Sequence, residues 1–150
     1  MVNKNHVIGG GPDRPQPKER VFLCDEPLRN GKNQDKPGYF IRILLPSYRS
    51  LPLSCIEKFE LTVDGTAVNP DDIAFVLNGS SYKVPELGSL SKLYWWILDS
   101  ADLFIASPQP LNAGEHLVQG TLVIVEPYMT VGRFPFFYTA EKRLRVASDF

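Results

Sequence analysis

Glu57-Lys58-Phe59-Glu60-Leu61-Thr62-Val63, followed by Asp64-Gly65 and then Thr66-Ala67-Val68, is the stretch on which the fold class turns. Phe59, Leu61 and Val63 alternate with Lys58, Glu60 and Thr62, a period of two that sets one face of a strand against a core and the other in water. Asp64-Gly65 supplies the positive φ angles of a tight hairpin turn, and a two-residue loop there puts Val68 across from Leu61 on the same face. Pattern and turn chemistry agree on a β-hairpin.

The same logic repeats at Asn78-Gly79, where a two-residue loop pairs Phe75 with Tyr82 and Ile73 with Val84. Further strands are expected at Val21 to Cys24, Tyr39 to Leu45, Leu93 to Leu98, Leu103 to Ala106 and Glu115 to Val125, with another at Leu144 to Val146. Pro85-Glu86-Leu87 can open one helical turn that Gly88 ends; helical periodicity is otherwise nearly absent. A strand-rich chain with closely spaced turns closes its core as a sandwich or barrel, and the expectation here is an all-β antiparallel sandwich.

A chain of 150 residues with 43% apolar side chains is enough for one core and not for two full domains. Residues 1–19 carry Gly9-Gly10-Gly11-Pro12, Pro15 and Pro17, a composition expected to form a flexible arm before a single domain at 20–150. No Lys-Ser/Thr pair closes the glycine run, so a phosphate loop is not supported. Sixteen basic residues against seventeen acidic ones leave a net charge of −1, which argues against a nucleic-acid partner. No apolar run approaches the roughly 20 residues of a membrane span, and the polar N-terminus is unlike a signal segment, so neither a membrane nor export is expected. Cys24 and Cys55 lack a metal or redox spacing and read as two reduced thiols in a cytoplasmic protein.

The chain offers little chemistry of its own. His6 and His116 have no evident local partner, and no converging set of His, Cys and carboxylate ligands appears, so no catalytic residue, cofactor or metal is expected in this chain. Asp71 and Asp72 follow Asn69-Pro70 in a turn, and Asp99-Ser100-Ala101-Asp102 reads as a link between strands where aspartate bonds its own backbone. Ser54-Cys55 has no neighbouring base and no nucleophile elbow is present.

Aromatic residues remain. Tyr94-Trp95-Trp96 sets large rings on both faces of one strand, so one side needs a second layer or a partner. Tyr128, Arg133, Phe134, Phe136, Phe137 and Tyr138 lie in a stretch whose prolines and glycine break a regular ladder, and it reads as an aromatic C-terminal loop. Tyr, Trp, Phe and Arg are the residues enriched at interface cores, which makes these nine positions candidates for a partner surface. On that reading, replacing Trp95 or Phe136 with alanine weakens assembly.

Ordered blocks carry a likeness beyond composition. The runs Phe59 to Gly65, Asp72-Ile73-Ala74-Phe75-Val76-Leu77-Asn78-Gly79, Trp95-Trp96-Ile97-Leu98-Asp99 and Leu111-Asn112-Ala113-Gly114-Glu115-His116, with Leu45 to Ser54, resemble the small subunit of bacterial C-glycoside deglycosidases over about Gly38 to Tyr128. The resemblance implies a non-catalytic β-sandwich subunit of a hetero-oligomer, docked on a larger TIM-barrel subunit that holds a divalent metal, manganese. It also implies a lyase-type cleavage of the sugar-to-aryl carbon bond in a 3-oxo-C-glycoside of a plant phenol such as a flavonoid. The alternative left open by the residues is a stand-alone carbohydrate-binding module, or a structural β-sandwich with no link to sugars.

Overall fold

The computed structural model describes residues 22–46, 50–125 and 135–147. Among these the chain forms β1 (Arg29–Asn33), β2 (Lys36–Leu44), β3 (Leu51–Pro52), β4 (Ile56–Val63), β5 (Thr66–Ala67) and β6 (Ile73–Leu77). It continues through β7 (Ser80–Lys83), β8 (Tyr94–Trp95), β9 (Ser100–Ala106), β10 (Glu115–Val125) and β11 (Pro135–Arg145). A five-stranded sheet runs β1-β2-β9-β6-β7, a four-stranded sheet β11-β10-β4-β5, and β3 pairs with β8. Every strand pairing is antiparallel, so the all-β expectation holds. The arm at 1–19 lies outside the described residues.

Both hairpins form at the expected turns. Asp64 and Gly65 have φ of 52° and 82°, Asn78 and Gly79 of 50° and 84°, the paired left-handed geometry that matches strand twist. Val68 donates its N–H to the Leu61 carbonyl at 2.9 Å, and Phe75 faces Tyr82. The second ladder stops at Ala74 and Lys83, one pair short of Ile73 and Val84, because Val84 opens a 3-10 turn, Val84–Ser89, whose Pro85 has no N–H to give a ladder. That turn is the expected helical one.

The structure departs from the expected strands at several places, first at Val21 to Cys24, where Val21 lies outside the described residues and Leu23 forms only an isolated bridge to Ile43. The stretch read as a loop through Phe136, Phe137 and Tyr138 is instead the start of β11, an eleven-residue strand paired with β10 from Pro135 to Arg145. β1 has no counterpart among the expected strands. Asp102 is no turn residue: it sits within β9, between Arg42 of β2 and Val76 of β6. The strand expected over Leu93 to Leu98 shortens to Tyr94 and Trp95, since a turn closed by the Asp99 N–H and the Trp96 carbonyl follows at once.

The core lies where the two larger sheets meet. Phe59 of β4 stacks on Phe75 of β6 with ring centroids 5.9 Å apart, and Phe75 meets the edge of Trp95 at 5.2 Å. Ile41, Ile43, Leu103 and Ile105 join this cluster from the five-stranded sheet, Leu61, Leu122 and Ile124 from the four-stranded one. Alternation along β2 and β9 turns Phe40, Arg42, Asp102 and Phe104 to the other face of the five-stranded sheet. There Phe40 packs on Phe104 at 4.9 Å, and Asp102 accepts from both Arg29 and Arg42 at 2.6 and 2.9 Å.

Candidate interaction surface

Trp95 and its neighbours divide between inside and outside. Trp95 is 0% exposed, wedged on Phe75, and its indole N–H donates to the Asp99 carbonyl at 2.9 Å. Alternation then drives Tyr94 and Trp96 outward, where they stack on each other with centroids 5.4 Å apart and Trp96 keeps 57% of its surface exposed. Leu93 flanks them, and Leu98 is 87% exposed. The segment is not slack: Leu53 donates to the Leu93 carbonyl at 2.7 Å, and the Ile97 N–H donates to the Ser50 hydroxyl at 2.7 Å. A buried indole anchors a rigid ledge of four large apolar side chains that face water in the chain itself.

The expected C-terminal candidates split by the same rule. On β11, Phe136 and Tyr138 turn into the core while Phe137 stands half-exposed between them. Tyr128, Arg133 and Phe134 lie outside the described residues. Of the nine aromatic and arginine candidates, Tyr94, Trp96 and Phe137 thus carry surface, whereas Trp95, Phe136 and Tyr138 support it from beneath.

Polar side chains at the turns serve the scaffold. Asn69 caps Pro70–Asp72 by accepting from the Asp71 N–H at 3.0 Å, the turn role expected for that run. His116, which offered no partner in sequence, has two: its Nδ1 lies 2.5 Å from the Asp64 carboxylate and its Nε2 2.8 Å from the Asn112 carbonyl. Both partners are acceptors, so both ring nitrogens must be protonated to satisfy them. The Asn112 carbonyl, then Asp64, therefore hold the imidazole above its ordinary value, and His116 and the Leu117 N–H hold the Asp64 carboxyl below its own. Fifty-two positions separate the pair, and only the pairing of β4 with β10 brings them together.

Burial, then the nearby Glu26, pushes the Cys24 thiol up to about 11, and burial pushes the Tyr39 phenol up to about 12, so neither is primed as a nucleophile or base near neutrality. Cys24 and Cys55 are not joined by a disulfide. Among the described residues no three His, Cys, Asp or Glu side chains converge as a metal site would require. No helix among them is long and apolar enough to cross a membrane.

A family model described as C-glycoside deglycosidase beta subunit matches residues 18–128. A Microbacterium protein named 3'-dehydrocarminate deglycosidase beta subunit is 38% identical over 131 residues, covering 86% of this chain and 95% of its own. A C-glycoside deglycosidase beta subunit of Arthrobacter globiformis is 35% identical over 109 residues, 72% of this chain and 83% of its own. One from Eubacterium cellulosolvens is 30% identical over 102 residues, 68% of this chain and 69% of its own.

Proposed function

The chain belongs to the C-glycoside deglycosidase beta-subunit family, and from that premise we propose that it is the small, non-catalytic subunit of a cytoplasmic hetero-oligomer that cleaves the carbon–carbon glycosidic bond of 3-oxo-C-glycosides. Membership in a family of beta subunits implies a partner subunit. On this reading that partner is a TIM barrel that carries the catalytic groups. This chain covers one of its surfaces and steadies the mouth of its active site.

The exposed ledge of Leu93, Tyr94, Trp96 and Leu98 carries this reading. Large apolar side chains exposed together on one short segment mark a place that another protein covers, and stacked aromatic rings are the anchors interfaces favour. Phe137 is a second, smaller contact on β11. The reaction is a lyase-type elimination: the ketone at the sugar's third carbon acidifies the hydrogen on the second, a positioned base removes it, and the bond to the aryl ring breaks as that ring takes up a proton. Among the described residues no three His, Cys, Asp or Glu side chains converge, and on this reading the base, and the manganese that the resemblance implies, belong to the large subunit.

Co-expression with a large subunit, followed by assay on a 3-oxo-C-glycoside, tests the reading. Activity is expected from the co-purified complex and from neither chain alone. Turnover by the isolated chain, or a chain that stays monomeric beside an active large subunit, would reject it.

A further inference from the structure

On the face of the five-stranded sheet turned away from the core, the tip of the β1–β2 hairpin arches across to β7. Asn33 donates through Nδ2 to the Ser81 hydroxyl at 2.9 Å, although β1 and β7 are the opposite edges of that sheet. Only a strongly coiled sheet allows this bond. Beneath the arch lies a hollow of about 460 Å³, with the half-buried Ala74 and Ala106 among its apolar lining and Phe104 almost wholly buried. Its size falls among small-ligand sites, which run roughly 300–1,000 Å³.

The walls carry opposite charges that nearly cancel. Lys36 and Lys83 stand against Asp71, Asp72 and Glu86, and Gln34 adds an amide that can both donate and accept. Gln34 sits in the two-residue turn between β1 and β2, where it and Asp35 adopt φ of 51° and 67°, the same paired left-handed hairpin geometry as the other two turns. The side chains of Gln34, Lys36, Asp71 and Asp72 are exposed. Balanced charge gives a small ion little to gain. Donors and acceptors on every wall beside an apolar lining fit a ligand with hydroxyls around its rim and C–H groups on its face.

We propose that this hollow binds a neutral polyhydroxylated ligand of hexose size. The site stands on the geometry of this chain alone and not on its role as a subunit. Phe104 is 2% exposed and packed on Phe40, so its ring offers no stacking platform and binding is weak. The test is a titration of the full, 15N-labelled chain with D-glucose, following backbone amide shifts. Saturable shifts are expected at Ala74, Ser81 and Ala106. Lys36→Met and Asp72→Asn, each at an exposed position, should weaken binding by about tenfold, the worth of one hydrogen bond to a charged group. Absent or non-saturating shifts, or saturation unaltered in both variants, would overturn the proposal. Trp96→Ala should leave the titration unchanged, so failure here is distinguishable from failure of the docking role.

Discussion

At the scale of single residues, two positions show how tightly local chemistry is set. His116 donates from both ring nitrogens only as the imidazolium, and Asp64 accepts only as the carboxylate. The histidine's folded value is raised, so its contribution is complete below the ordinary 6.5 and is lost as pH rises through the folded value. The carboxyl's is lowered, so its contribution is present above the ordinary 3.8 and is lost as pH falls through the folded value. Between those limits the clasp works fully, tying the β4–β5 turn to the start of β10. Asp64→Asn keeps a turn-forming side chain and removes the charge. The stability difference between parent and variant in urea unfolding should be largest between the ordinary values of 3.8 and 6.5 and shrink both toward stronger acid and as pH rises through neutral to alkaline; a difference that stays constant above 6.5 would remove His116 from the account. Gly38 is the second case: a Cβ there would meet the Ile105 carbonyl oxygen at 2.1 Å and the Phe104 ring at 2.5 Å. The backbone cannot yield as a flexible side chain could, so Gly38→Ala should cost about 3 kcal/mol. An unfolding midpoint equal to the parent's would show that the sheet shifts more cheaply than its close pairing implies.

At the scale of elements, what the sequence made legible followed from turn chemistry. Asp64-Gly65 and Asn78-Gly79 specify both the left-handed geometry and the register, so four strands could be placed with their partners. β1 was hidden because Arg29-Asn30-Gly31-Lys32-Asn33 has no apolar alternation. Its order comes from the ladder to β2, the Arg29 guanidinium 5.0 Å over the Phe40 ring, and Asp102. β11 was hidden for the opposite reason: Pro135-Phe136-Phe137-Tyr138 is aromatic on both faces, which erases the period-two signal, and the inward set of Phe136, Tyr138 and Ala140 emerges only against β10. Asp102 and His116 were beyond reach because their partners lie far off in sequence. The two-residue β8 shows how little length an element needs when one side chain anchors it. Trp95 fills the core against Phe75 and ties its indole to Asp99, so Trp95→Ala should lose about 3–5 kcal/mol. Any effect of Trp95 or Phe136 on assembly then passes through the fold. A Trp95→Ala chain whose thermal midpoint matches the parent would show that the ledge does not rest on this ring.

At the scale of the whole molecule, the interior and the ledge make opposite demands on adjacent residues. Trp95 is enclosed by its own chain, whereas Trp96, one position on, is turned to water with Tyr94 stacked on it. A protein acting alone gains nothing from fixing four large apolar groups outside its core, since water around them is unfavourable and a polar residue would serve the turn as well. In a subunit the same feature is the anchor of an interface, and burying it against a partner returns free energy only on assembly. Stability and association should therefore separate at this position. Trp96→Ser should change the unfolding free energy of the isolated chain by no more than about 0.5 kcal/mol, as exposed substitutions do. The same substitution should weaken capture by the large subunit by about 2 kcal/mol or more, the loss of a hot-spot ring. Leu98→Ser, further along the ledge, should move association in the same direction with a smaller effect. Affinity measured for both variants alongside their unfolding curves decides the matter. If association is untouched while both chains remain folded, the partner does not sit on this ledge.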